Sequence, residues 1–169
     1  MTFEYKHLIP EDFHSMSKVW IYQGSRLFTL GEALEIEDMM NEFVDQWTSH
    51  GASVKGYSNL LFGQFIVLMA DESQATVGGC STDSSVRLIK AIEQKFAVDM
   101  FNRQNLAFAI KGKVQLLPLS QLPYAVANNF IDSNTIYFNN VVLTKEELLT
   151  KWMIPVKDSW LSKKVAIPA

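Results

Sequence analysis

Residues 63–85 read GQFIVLMADESQATVGGCSTDSS, and the fold turns on how this stretch divides. Gly63–Ala70 is nearly continuous in apolar residues, the pattern of a central strand covered on both faces. Asp71 to Thr82 is polar and predicts a loop. A helix is expected from about Asp83 to Ala97, with Leu88, Ile89, Ile92 and Phe96 on its buried face. The core of the segment is therefore a strand, a loop and a helix.

Upstream, residues 1–16 have no clear period and read as an N-terminal arm. Lys18–Tyr22 (KVWIY) is β-branched and aromatic and predicts a strand. Thr29 and Glu32 have the spacing of a capping box. Behind them Ala33, Ile36, Met40, Phe43 and Trp47 recur at helical spacing, giving a helix over 30–47. A further strand is expected at Val54–Leu60.

Downstream, strands are expected at Leu106–Ile110 and Lys113–Leu117, a short helix after Ser120, and a strand near Thr135–Val142. Thr144 and Glu147 form a second capping box for a last helix ending near Trp152. Trp47, Trp152 and Trp160 are expected to bury large apolar area and tie the C-terminal segment, an irregular strap over 153–169, to the body. The order β-α-β-β-α-β, followed by β-α-β-α, is that of a ferredoxin-like α/β core with an added C-terminal portion. No repeat or linker divides the 169 residues, so one domain over 1–169 is expected.

The composition, 48% hydrophobic and 20% charged, is that of an ordinary globular chain. The polar, acidic start lacks the features of a signal peptide. The longest apolar stretch, residues 60–70, is too short for a membrane-spanning helix. One cysteine, Cys80, excludes an internal disulfide and cysteine-cluster metal sites, so a cytoplasmic location is expected. Three scattered histidines, His7, His14 and His50, offer no metal-ligand spacing, and no metal or cofactor is expected. The net charge of -3 argues against a nucleic-acid partner. The βαββαβ order invites comparison with RNA-recognition domains, and Trp20, Tyr22 and Phe65 lie on the strands concerned. The third strand, however, lacks the basic residue and paired aromatics of that motif.

The segment from Gly79 to Ser85 is the candidate site. It joins the central strand to a helix, the end of an α/β sheet where ligands gather. Unpaired N–H groups at the helix start favour an anion. Gly78 and Gly79 allow close backbone approach, and the hydroxyls of Ser81, Thr82, Ser84 and Ser85 add donors. An anionic small molecule would be bound by Gly79, Cys80, Ser81, Thr82, Asp83 and Ser84. The plainer alternative is that Thr82 or Asp83 caps the helix. A second candidate is Cys80 as a catalytic nucleophile or redox thiol, because a thiol near a helix N-terminus has a depressed pKa. Such a nucleophile usually needs a histidine base; none of the three is close in sequence, though His50, just after the first helix, could be near in space. The opposing alternative is a packed, inert cysteine.

Three segments resemble a family of uncharacterised bacterial proteins of similar length, found mainly in Bacteroidetes. They are Lys18–Gln23 (KVWIYQ), residues 71–86 (DESQATVGGCSTDSSV) and Asn139–Trp160. Members often carry the label ABC transporter ATPase. That label is not supported by this sequence. A P-loop needs G-x-x-x-x-G-K-[ST], and no lysine follows Gly78-Gly79 until Lys90. The resemblance implies a family and no mechanism.

The helix over 30–47 carries Glu32, Glu35, Glu37, Asp38, Glu42 and Asp45, with no lysine or arginine between Thr29 and Trp47. Glu35, Asp38, Glu42 and Asp45 cluster opposite the apolar stripe. This acidic face fits either a solvated surface or an interaction module for a basic partner. A homodimer is expected on general grounds of symmetry.

Overall fold

The computed structural model describes residues 1–73 and 79–168, with the backbone alone for 79–81. The chain is mixed α/β, with four α-helices and three antiparallel sheets among the described residues. Strand β1 (Lys18–Gln23) leads to helix α1 (Leu30–Gln46). The short pair β2 (Thr48–Ser49) and β3 (Ala52–Ser53) follows, then β4 (Lys55–Leu61) and β5 (Phe65–Asp71). Next come α2 (Gly79–Phe96), β6 (Asn105–Ile110), β7 (Lys113–Pro118) and α3 (Leu122–Ala127). Strand β8 (Ile136–Phe138), α4 (Lys145–Lys151) and β9 (Met153–Pro155) complete the chain of elements.

The central-strand reading of β5 holds throughout its length. Phe65 to Ala70 are all wholly buried. Because side chains alternate along a strand, the two faces of β5 enter two different cores. Ile66, Leu68 and Ala70 pack with Ile36 and Met40 of α1 and Ile89 and Ile92 of α2. Phe65, Val67 and Met69 pack with Ala107 of β6, Phe138 of β8, and Leu148 and Trp152.

The first sheet has the order β1-β5-β4. The strand after α2 does not extend it: β6 pairs with β7 and β8 in a second sheet of order β7-β6-β8-β9. The side chains of β6 explain this. Ala107 and Ala109 face the first sheet, small enough for the two sheets to stack closely, whereas Leu106 and Phe108 face a third core with α3 and the C-terminal segment. The layers are therefore two helices, a sheet, a second sheet, and α3 with the tail.

Both predicted caps form their threonine bond, and only at the second does the glutamate reach back, Glu147 Oε1 accepting from Leu143 N and the Thr144 hydroxyl, each at 3.4 Å. Thr29 Oγ1 accepts from Glu32 N at 3.2 Å, while the Glu32 carboxylate turns to Arg26 at 2.9 Å. Thr144 Oγ1 accepts from Glu147 N at 3.2 Å. The N-terminal arm is not a loose loop. Tyr5, Ile9 and Phe13 are buried under α4, and burial pushes the Tyr5 phenol up to about 12. Its hydroxyl donates to Leu148 O.

The strand expected near Thr135–Val142 stops at Phe138, because Asn139 and Asn140 turn the chain toward β1. Leu143 O there accepts from Val19 N at 3.0 Å. The strap over 153–169 begins as an edge strand, since β9 pairs with β8. Trp160 ties the tail to that sheet, its indole N–H donating to Tyr137 Oη at 3.2 Å.

Gly56 on β4 marks a close approach. A Cβ there would lie 2.8 Å from Cε3 and 3.2 Å from Cζ3 of Trp47. Gly56→Ala is therefore an overpacking change, and urea titration is expected to show a loss of about 2 kcal/mol.

Candidate functional site

Helix α2 starts earlier than its composition suggests. Gly, Cys, Ser, Thr and Asp are poor interior helix residues, yet the helix runs from Gly79 rather than from about Asp83. Tertiary contacts override propensity here. Ser85 is wholly buried, its Oγ donating to Thr82 O at 2.7 Å and meeting Tyr22 Oη at 3.2 Å. Ile89 and Ile92, on the face below it, are wholly buried against the first sheet.

This start corrects the plainer alternative, because Thr82 and Asp83 lie inside the helix and neither caps it. The segment Gly79–Ser85 is thus helical rather than a loop. Thr82 is half-buried and Asp83 exposed. Ser84 Oγ accepts from Arg87 Nη2 at 3.0 Å. Gly78 and the side chains of Cys80 and Ser81 lie outside the described residues, as does the polar stretch 74–78.

The structure brings Ser84 and Arg87 together with residues that the sequence did not single out as a site. A cavity of about 240 Å³ is lined by Phe43, Gln46, Trp47 and Thr48 at the end of α1, and by Ser84 and Arg87 on α2. Trp47 forms its inner wall, 3% exposed, its ring tilted against Phe43 at 4.8 Å and 5.6 Å from Trp20. Its Cε3 edge abuts Gly56, so the indole N–H edge lies on the other side of the ring, away from that contact.

That N–H is buried and has no hydrogen-bond partner among the described residues. Leaving a buried donor unpaired costs about 1–3 kcal/mol, and an orphan of this kind calls for an explanation such as a bound group. On the facing wall, Arg87 is exposed and has no carboxylate within ion-pair distance among the described residues. No carboxylate among the described residues lines the cavity. The arrangement offers donors to an acceptor, beside an aromatic wall.

The acidic face of α1 is less uniform than its sequence implied. Glu35 pairs with Lys95 at 2.7 Å and Glu32 with Arg26 at 2.9 Å. The Arg26 hydrogen bond holds the Glu32 carboxyl below its usual range, against some opposing desolvation. Glu37, Asp38, Glu42 and Asp45 are exposed. His50 sits at an exposed turn position of positive φ (51°), followed by Gly51 (81°), as a two-residue hairpin turn requires. His7 is exposed, and His14 Nδ1 accepts from Met16 N at 3.0 Å.

No group of three metal-ligating side chains occurs among the described residues. No described helix is long and apolar enough to cross a membrane. No family model, curated protein or solved structure matches the chain.

Proposed function

We propose that the protein binds a small anionic molecule at the start of α2, in the cavity between Trp47 and Arg87. The observation that carries this reading is that Trp47, whose buried indole N–H has no hydrogen-bond partner among the described residues, lines one cavity with Arg87. An acceptor-rich ligand such as a carboxylate or phosphate would take the indole N–H and the guanidinium together. The six candidates from Gly79 to Ser84 belong to this reading as the turns that lead into the cavity.

The test is calorimetric titration with inorganic phosphate, citrate and a nucleoside monophosphate. At least one should bind saturably. Arg87→Gln should weaken it about tenfold, the order expected for losing one charge-assisted hydrogen bond. Trp47→Phe keeps an aromatic ring and removes the donor, and should weaken binding about fivefold. Equal affinities in wild type and both variants would end the proposal.

A second reading, Cys80 as a nucleophile or redox thiol, is favoured by α2 beginning at Gly79, one residue before it. At 3.6 residues per turn, positions 80, 84 and 87 share a helix face. Alkylation of Cys80 with a pH midpoint well below about 8.5 would support thiol chemistry. Reaction only on unfolding would remove it. The third reading, an interaction module through the acidic helix, rests on the four exposed carboxylates of α1.

The same reading takes β1-α1-β4-β5-α2 as a ferredoxin-like unit whose closing strand has joined the second sheet. The bacterial family, the cytoplasmic location and a homodimer remain parts of this reading that rest on the sequence.

A further inference from the structure

A second cavity, remote in sequence from the first, lies between the β6–β7 hairpin and α3. It is an open groove of about 670 Å³, within the size range of small-molecule sites. Its floor is apolar, with Phe108 wholly buried and Ile110 and Leu117 half-buried. Its rim carries two aromatics, Tyr124 and Phe130, which are 65% and 66% exposed.

Phe130 is exposed but not loosely held. Asn129 has φ 61°, Asn129 N donates to Val126 O at 3.1 Å, and Phe130 N donates to Ala125 O at 2.9 Å. These bonds form a Schellman ending to α3. It fixes the backbone of an aromatic that the fold does not bury, a preorganised contact for an apolar ligand.

The charge at the groove has one sign. Lys111 and Lys113 line it, and no carboxylate among the described residues does, in a chain of net charge -3. Neither lysine has a carboxylate within ion-pair distance among the described residues. Lys111 occupies the first position of the hairpin turn at φ 50°, before Gly112 at 73°. Asparagine or aspartate is the favoured partner of glycine in such a turn. A lysine held there at some backbone cost points to a use for its charge.

We propose that this groove binds an amphipathic carboxylate, its apolar body against Phe108, Tyr124 and Phe130 and its head group between Lys111 and Lys113. Titration of the full chain with dodecanoate and with dodecanol tests it. Dodecanoate should bind saturably and dodecanol about tenfold more weakly, with Lys111→Gln/Lys113→Gln closing that gap. Phe130→Ser should weaken both ligands while leaving the thermal midpoint close to wild type, since it sits at the surface. No saturable binding, equal affinity for acid and alcohol, or a gap that survives the double lysine variant would overturn it. So would light scattering in which wild type is a dimer, Phe130→Ser is a monomer, and dodecanoate does not bind: the groove would then belong to a second copy.

Discussion

Trp152→Ala is expected to cost about 4 kcal/mol of folding stability, a large share of the 5–15 kcal/mol typical of a whole domain. Trp152 is wholly buried and is contacted by four rings. Tyr5 lies at 4.8 Å, Phe65 at 5.3 Å, Phe138 at 5.4 Å and Phe62 at 5.8 Å. Those rings come from the arm, the first sheet and the second sheet, so truncation opens a void where three elements meet. The indole N–H also donates to Asn140 Oδ1 at 2.9 Å, and Asn140 Nδ2 donates to Gln23 Oε1 at 2.9 Å. Gln23 Nε2 in turn donates to Asn105 O at 2.9 Å, so one chain of amides bridges the two sheets. Trp152→Phe retains ring packing and breaks that chain at its first link, and should cost about 1–2 kcal/mol. Urea midpoints at an unchanged slope would read both values; a fall for Phe as large as for Ala would mean that the hydrogen bond, not the packing, dominates.

Asp71→Ala should be the next most damaging change, at about 3 kcal/mol near neutral pH. Asp71 ends β5 and is 5% exposed. Its carboxylate accepts from His14 N at 3.0 Å and Ser73 N at 2.8 Å, with Lys55 Nζ at 3.9 Å. Lys55 also donates to Asp12 O at 2.6 Å, so the carboxylate staples the arm to two strands. Burial alone would raise the Asp71 pKa. The hydrogen bonds from Ser73 and His14, with the Lys55 charge, outweigh it and lower the value from 3.8 to about 2. The folded state therefore holds its proton more weakly than the unfolded chain. The contribution is fully present above about pH 4 and is lost as pH falls from 4 toward 2. Acid titration of Asp71→Ala should lack the part of the stability loss that wild type shows in that window. Parallel curves for the two proteins would refute the linkage.

Much of the layout was legible because the relevant signals are local. Continuous apolarity marked β5 as covered on both faces, and the Thr29 and Thr144 caps fixed two helix starts within a residue. What escaped were choices between distant partners. Leu106–Ile110 reads as a strand in any sheet. Only the packing of Ala107 and Ala109 into the core that holds Phe65, Val67 and Met69 of the first sheet shows why it joins the second one. The start of α2 was misplaced because its first seven residues favour turns, and buried Ser85 with its Tyr22 contact reverses that preference. Of the cavity wall, Ser84 was named from the sequence, and Arg87 was within reach as its neighbour one turn on. Trp47 was read as core, correctly, but nothing in a sequence distinguishes a paired indole N–H from an orphan. The Lys111–Gly112 turn was the one local clue to the second groove.

The arm and α4 cover the same face of β5 from opposite ends of the chain, with Tyr5 and Leu148 separated by 143 residues. A ribosome making this protein releases the arm before β5 and the helix α4 well after it. At roughly 5–20 residues per second, β5 waits on the order of ten seconds for Leu148 and Trp152 to emerge. Throughout that interval Phe65, Val67 and Met69 have at most the arm as cover and lack Leu148 and Trp152, so the nascent chain carries a sticky sheet face that a holding chaperone would recognise.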